Sequence, residues 1–163
     1  MNDLVTRIKT RCYDPHGLTM ANYTDEAESQ TYGACTFEIH DKKCVSRNAK
    51  ITPTKTGQFV TLWKRTHTGI TAPFDSSDTI DLVIIHIQDG DRLGLFIFPQ
   101  ALLIEKKIIS TAKKEGKRGF RIYPPWDRPT SRQALKTQDW QQFHFIDLTK
   151  AGSINSSKIK SFL

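Results

Sequence analysis

The segment Lys50-Ile51-Thr52-Pro53-Thr54-Lys55-Thr56-Gly57 combines groups that can hold an anion. Lys50 and Lys55 bring charge, and Thr52 and Thr54 bring hydroxyl donors. Gly57 lets the backbone turn so that amide N–H groups converge on an oxyanion, and Pro53 stiffens the loop. The chemistry is that of a phosphate clamp, although GxxxxGK[ST] is absent, so it is not a Walker A loop. An exposed basic hairpin loop would have the same composition. The chain runs on to Trp63-Lys64-Arg65, where an indole and a guanidinium could stack a base and grip a phosphate. A core Trp beside two solvated cations reads equally well.

Carboxylates offer a second chemistry. Asp81 opens an apolar strand, and Glu38 is a possible companion. Nucleases that use Mg²⁺ hold the ion between carboxylates and the phosphate, with a Lys nearby to polarise water. Lys50 is the candidate for that Lys. The following strand offers Phe98-Pro99-Gln100 where Glu-x-Lys would complete the pattern, so the set is incomplete, and Asp81 could simply cap its strand. No cofactor motif appears, and Mg²⁺ is the one ion these carboxylates would call for.

A second basic run, Lys113, Lys114, Lys117, Arg118 and Arg121, leads into Tyr123-Pro124-Pro125-Trp126. Basic residues ending in rigid aromatic chain suit nucleic acid. Downstream, Gln133, Thr137 and Trp140 or Gln141 share helical spacing, with Lys136 beside them. Such a face could read bases or phosphates, or merely meet solvent.

The net charge of +7 favours an acidic partner, nucleic acid first. Its distribution says more. Residues 42–74 hold seven cations and no acid, and residues 106–136 hold ten cations against two acids. The stretches 1–41 and 75–105 are acidic. If the two basic blocks meet, Arg47, Lys50, Thr52, Lys55, Lys64, Arg65, Lys117 and Arg121 make one anion-binding face, with Trp126, Gln133 and Lys136 at its edge. Cys12, Cys35 and Cys44 lack zinc spacing and suggest three free thiols in a reducing compartment. The five His do not cluster. The start of the chain lacks the apolar stretch of a signal peptide, and no run approaches the ~18 apolar residues of a membrane span. The expectation is a cytoplasmic protein with no membrane partner, and no pattern specifies an oligomeric state.

The elements follow from periodicity. Residues 3–13 predict an amphipathic helix and 23–32 a second one. Strands follow at 35–40 and near 44–51, joined by a turn at 41–43, and then at 59–65. Residues 81–87 are almost continuously apolar, the mark of a strand covered on both faces. A hairpin turn at 88–91 leads to a strand at 93–98. A short helix at 99–105, a strand at 119–123, a helix at 130–142 and a short strand at 143–148 complete the pattern. One domain over 1–150 is expected, with 151–163 loosely ordered. The class is α/β, or mixed α+β, with a central mixed sheet of five or more strands flanked by helices.

Four blocks resemble the MepB-like family: Tyr32–Phe37, Lys50–Arg65, Phe96-Ile97-Phe98-Pro99 and Lys114–Trp126. Gln133, Ala134, Lys136-Thr137-Gln138 and Trp140-Gln141 match as well. The resemblance covers roughly residues 20–145. It implies a small bacterial protein of unassigned activity with a restriction-endonuclease-like fold, and that analogy does not fix function. Where the family commonly carries Lys after Phe96–Pro99, this chain has Gln100. The expectation is a protein that binds nucleic acid or another phosphate-bearing ligand through a basic face. A nuclease-like site, active or degenerate, would make it a metal-dependent phosphodiesterase. The alternative is a small-molecule or phospho-ligand binding accessory protein in drug or stress response, without catalysis.

Overall fold

The computed structural model describes all 163 residues, Met1–Leu163. Eleven strands and four α-helices follow in chain order. They are α1 (Asp3–Ile8), β1 (Met20–Asp25), β2 (Cys35–Ile39), β3 (Lys42–Asn48), β4 (Lys50–Ile51), β5 (Gln58–Thr61), β6 (Lys64–Arg65) and β7 (Thr71–Ala72). Then come β8 (Leu82–Asp89), β9 (Arg92–Pro99), α2 (Gln100–Glu105), β10 (Gly119–Ile122), α3 (Arg132–Gln141), β11 (Phe145–Asp147) and α4 (Ser156–Ser161). The class is mixed α+β. No helix is long and apolar enough to cross a membrane.

A six-stranded mixed sheet in the order β1-β2-β3-β8-β9-β11 forms the centre. Only β3 and β8 run parallel, and the other neighbours are antiparallel. β8 explains the layering. Its Leu82 and Ile84 join one buried cluster of 17 residues, while Val83, Ile85 and Ile87 join another of 15. Alternating side chains of one strand thus feed two cores, so both faces of the sheet are covered. Val5 and Ile8 of α1 cover one face. The other lies under Val60, Phe120 and Ile122 of a second, three-stranded sheet in the order β10-β5-β4.

His86 on β8 points into the first core and is fully buried. Its Nε2 lies 3.3 Å from the Tyr13 hydroxyl and its Nδ1 lies 3.2 Å from Asn48 Oδ1. It is a bonded core residue.

Four expectations need correction. The helix at 23–32 is absent: Met20–Asp25 pairs with β2 instead, with a bulge where Asn22 takes φ +53°, and only a 3₁₀ turn remains at Gln30–Tyr32. An available sheet edge outweighs the local signal, as Tyr and Thr favour strands. The turn after β2 sits at His40-Asp41, both at positive φ. The strand near 44–51 divides at Ala49, so that β3 stays in the large sheet while β4 crosses to the small one.

The strand at 59–65 also divides. Leu62 N–H still reaches Arg118 O at 2.8 Å, but no partner strand continues beyond it. Lys64–Arg65 pairs with Thr71–Ala72 in a separate hairpin. The expected strand at 59–65 therefore ends at Thr61. Residues 154–163 pack against the first core. Asn155 Oδ1 accepts from Lys158 N to cap α4, and Ile159 is buried in the first core.

Candidate anion-binding cleft

The outer face of the small sheet carries a row of cross-strand neighbours. Lys50 on β4 pairs with Phe59 on β5, and Phe59 pairs with Arg121 on β10. Directly opposed residues in antiparallel strands point to the same side, so a ring lies between two cations. Phe59 lies flat because its neighbour is glycine: a Cβ at Gly119 would fall 2.6 Å from Phe59 Cζ. Lys50 Nζ stands 4.7 Å from the centre of the Tyr32 ring.

Beside this row opens a cleft of about 400 Å³ between the small sheet, α3 and the end of α2. Lys106, Lys117 and Arg121 line it, with Phe59, Trp140, Gln133 and Thr137, and no carboxylate does. Neither Lys117 nor Lys106 takes part in an ion pair. Lys106 Nζ lies 5.4 Å from the centre of the Trp140 ring. A smaller recess of about 220 Å³ adjoins through Arg121, Tyr123, Ser131 and Ala134, and adds Lys55 and Thr56.

Arg121 organises this region. Its Nη2 donates to Thr52 Oγ1 at 2.9 Å, to Thr56 O at 2.9 Å and to Gly57 O at 3.1 Å, and its Nε donates to Thr56 O. The 52–57 loop therefore turns carbonyl oxygens inward around a guanidinium. The amide convergence on an anion expected from Gly57 is not how the loop is built. Gly57 is required for another reason: it takes φ +84°, and a Cβ there would meet the Tyr123 ring at 2.7 Å. Nη1 of Arg121 has no protein partner.

α3 is anchored by side chains that imitate a strand. Gln141 is fully buried; its Oε1 accepts from Tyr123 N at 2.9 Å and its Nε2 donates to Arg121 O at 2.9 Å. Gln138 donates to Pro124 O and Asp127 O. The free edge of β10 is thereby satisfied, as a buried backbone edge requires. Gln133 makes no such bond, and its amide stays free at the cleft.

The predicted residues thus sort into groups. Lys117, Arg121 and Gln133 meet at the cleft, Lys55 lines its adjoining recess, Thr52 accepts from Arg121, and Lys50 stands in the cross-strand row. Three cations of the first basic block are drawn off by acids. Arg47 is 0 % exposed, with Nη2 2.8 Å from Glu26 Oε2 and Nη1 donating to Ser46 O. Burial lowers its pKa, and Glu26 opposes that shift. Lys64 Nζ sits 2.7 Å from Asp75 Oδ2 and 2.8 Å from Asp78. Burial would lower its pKa, but the bonds from those two carboxylates outweigh it and raise it. Arg65 pairs with Glu28 and donates to Gly69 O. Trp126 packs edge-on against Phe145 under Arg92, away from the cleft. Lys136 is exposed on α3 outside the lining.

The catalytic pairing does not form. Asp81 lies beside Lys43 at the start of the parallel β3–β8 pairing, which runs from Cys44↔Leu82 to Asn48↔His86, whereas Lys50 lies past its far end, on β4 of the small sheet. Seven residues at ~3.3 Å each put them about 20 Å apart. Asp81 Oδ2 accepts from Lys43 N at 2.8 Å, so it caps the neighbouring strand. Glu38 is Lys43's partner on β2 and accepts from Asn22. The expected Mg²⁺ ligands therefore lie on either side of Lys43 of β3, with one oxygen of each already bonded. No three His, Cys, Asp or Glu side chains gather closely enough to hold a metal. Asp81 and Glu38 have no third acidic or imidazole ligand beside them.

Lys106 and Phe59 were not among the sequence candidates. Phe59 had a usable signal, an aromatic on the polar side of a strand whose other side carries Val60 and Leu62. Lys106 had none, because only the packing of α2 beside α3 brings it to Trp140.

The comparisons agree with this architecture. The MepB-like family model matches residues 26–147. A crystal structure of MepB superposes with a TM-score of 0.80 at 33% identity, covering 92% of this chain and 99% of that one. A bacterial homing endonuclease, I-Ssp6803I, gives a TM-score of 0.46 at 8% identity over 82% of this chain and 81% of its own, a likeness on which no argument rests. No curated protein matches. Family match and superposition agree along most of the chain, which belongs to the MepB-like family.

Proposed function

We propose that the chain binds a phosphate-bearing ligand, nucleic acid foremost, in the cleft lined by Lys106, Lys117 and Arg121. One observation carries this reading. Of the cations in the two basic blocks, Arg47, Lys64, Arg65 and Arg118 are paired with acids, whereas no carboxylate lines the cleft. A concave site of one sign concentrates an anion and focuses the field on it. Arg121 is held in place by the loop and keeps Nη1 for a ligand, so little side-chain freedom is lost on binding. The setting is the cytoplasm, in keeping with three free cysteines that are all buried. Asp81 and Glu38 gather no third ligand and Lys50 lies far from both, so the proposed activity is binding without cleavage.

A mononucleotide or similar small phospho-ligand is the second reading, and the cleft volume favours it, since small-ligand sites run from about 300 to 1,000 Å³. Titration with an oligonucleotide and with its mononucleotide decides between them. Tighter binding of the oligonucleotide supports the first reading. Equal or weaker binding supports the second, and binding of neither removes both.

A further inference from the structure

The cleft's aromatic lining carries the reading further. Phosphate alone needs only cations, yet Phe59 and Trp140 stand among them, each half-buried with part of its ring accessible. Each ring has a cation beside it: Arg121 and Lys50 flank Phe59 in register, and Lys106 lies over Trp140. A flat π face next to a positive charge is the pairing that takes an unpaired base with its phosphate. Gly119 is the device that exposes the Phe59 face, because any side chain there would collide with the ring. Gln133 adds a free amide that can both donate and accept, as a base edge requires, whereas a bare phosphate uses only its donors.

The shape suits an unpaired nucleotide better than a duplex. Proteins that read double helices push a convex helix or ribbon into a groove. Here the surface is concave and about 400 Å³, room for a nucleotide whose base has left its stack. A paired base presents no open face to Phe59 or Trp140, and single strands are the form whose bases can be splayed onto aromatic side chains.

We infer that the cleft receives single-stranded nucleic acid. Bases stack on Phe59 and Trp140, phosphates lie against Lys117 and Arg121, and Gln133 meets a base edge. This rests on the anion-binding reading above and specifies the form of its ligand.

The test titrates wild type, Phe59→Leu and Lys117→Ala with three probes: a mixed-sequence single-stranded DNA, the same sequence as a duplex, and inorganic polyphosphate. The single strand is expected to bind at least about tenfold more tightly than the duplex. Phe59→Leu is expected to weaken single-strand binding about 5- to 150-fold while leaving polyphosphate unchanged. Lys117→Ala weakens both. Equal or tighter duplex binding, or a Phe59→Leu protein that binds the single strand as wild type does, overturns the inference. If no polyanion binds, the anion-binding reading itself falls. Should Phe59→Leu fail to fold, Trp140 gives an independent readout. Single-strand binding quenches its fluorescence and Trp140→Phe abolishes that quench, whereas a signal unmoved by saturating single strand contradicts stacking.

Discussion

Arg121 Nη2 lies 2.9 Å from Thr52 Oγ1, a contact that joins the two basic blocks across 69 residues of sequence. The blocks do meet, but by one block's guanidinium filling the other's loop. Phosphate is then met by what this contact leaves free.

Arg121→Lys tests that contact. An ammonium has no fork and cannot serve Thr52 Oγ1 together with the carbonyls of 55–57. Hydrogen exchange of the amides at 52–57 should quicken, and global stability should fall by about 1–3 kcal/mol. Exchange unchanged from wild type would show that the loop stands without Arg121.

Gln141→Ala should be among the most damaging substitutions on α3. It leaves Tyr123 N–H and Arg121 C=O without partners in a buried setting, at a cost of about 3 kcal/mol. For a chain of this size that lowers Tm by roughly 6–12 °C. Thermal denaturation reads this directly, and a shift under a degree or two would mean the edge of β10 finds another partner.

How far this was legible in the sequence differs from element to element. The continuous apolar run at 82–87 announced a doubly covered strand, and Leu82–Asp89 is one. The helix at 130–142 was visible from its spacing, and in the structure Ser131 caps it. The 23–32 helix and the unbroken 59–65 strand were misread because pairing partners lie elsewhere in the chain, on β2 and at Thr71–Ala72. The basic blocks were visible as blocks, but their neutralisation was not: Glu26, Glu28, Asp75 and Asp78 come from the two acidic stretches and fold onto Arg47, Arg65 and Lys64. Charge counted along a chain does not reveal which cations keep an open face. The Lys50–Asp81 pairing failed for the same reason, since Asp81 lies at the start of the parallel β3–β8 pairing and Lys50 past its far end.

Acid should destabilise the fold earlier than its carboxylates require. Burial pushes the His86 imidazole down to about 3 from its ordinary 6.5, so the unfolded chain binds a proton there that the folded chain refuses. Stability is complete above pH 6.5 and is lost as pH falls toward 3, with a slope of up to about 1.4 kcal/mol per pH unit. Burial lowers His144 as well and acts with the same sign. Urea midpoints between pH 6.5 and 5, above the usual carboxylate range, should decline in wild type and far less in His86→Asn. Parallel declines would assign the effect to other groups.

Cations already held by acids should be silent in binding. Arg65→Ala and Lys64→Ala are expected to leave ligand affinity unchanged, and Glu26→Ala to reduce stability without touching affinity, because it strands the buried Arg47 charge. Affinity measured beside denaturation midpoints separates the two effects. A loss of affinity in Arg65→Ala at unchanged stability would bring that residue back to the site.

The most direct test of the cleft as an anion site is the salt dependence of binding. Fluorescence anisotropy with a labelled single-stranded oligonucleotide, repeated across salt concentrations, gives log K against log[salt] for wild type, Lys106→Ala and Lys117→Ala. Cations that meet phosphates predict a steep negative slope in wild type, shallower by about 0.7 for each Lys removed. A slope near zero, or slopes identical in all three proteins, would contradict phosphate contact at this cleft.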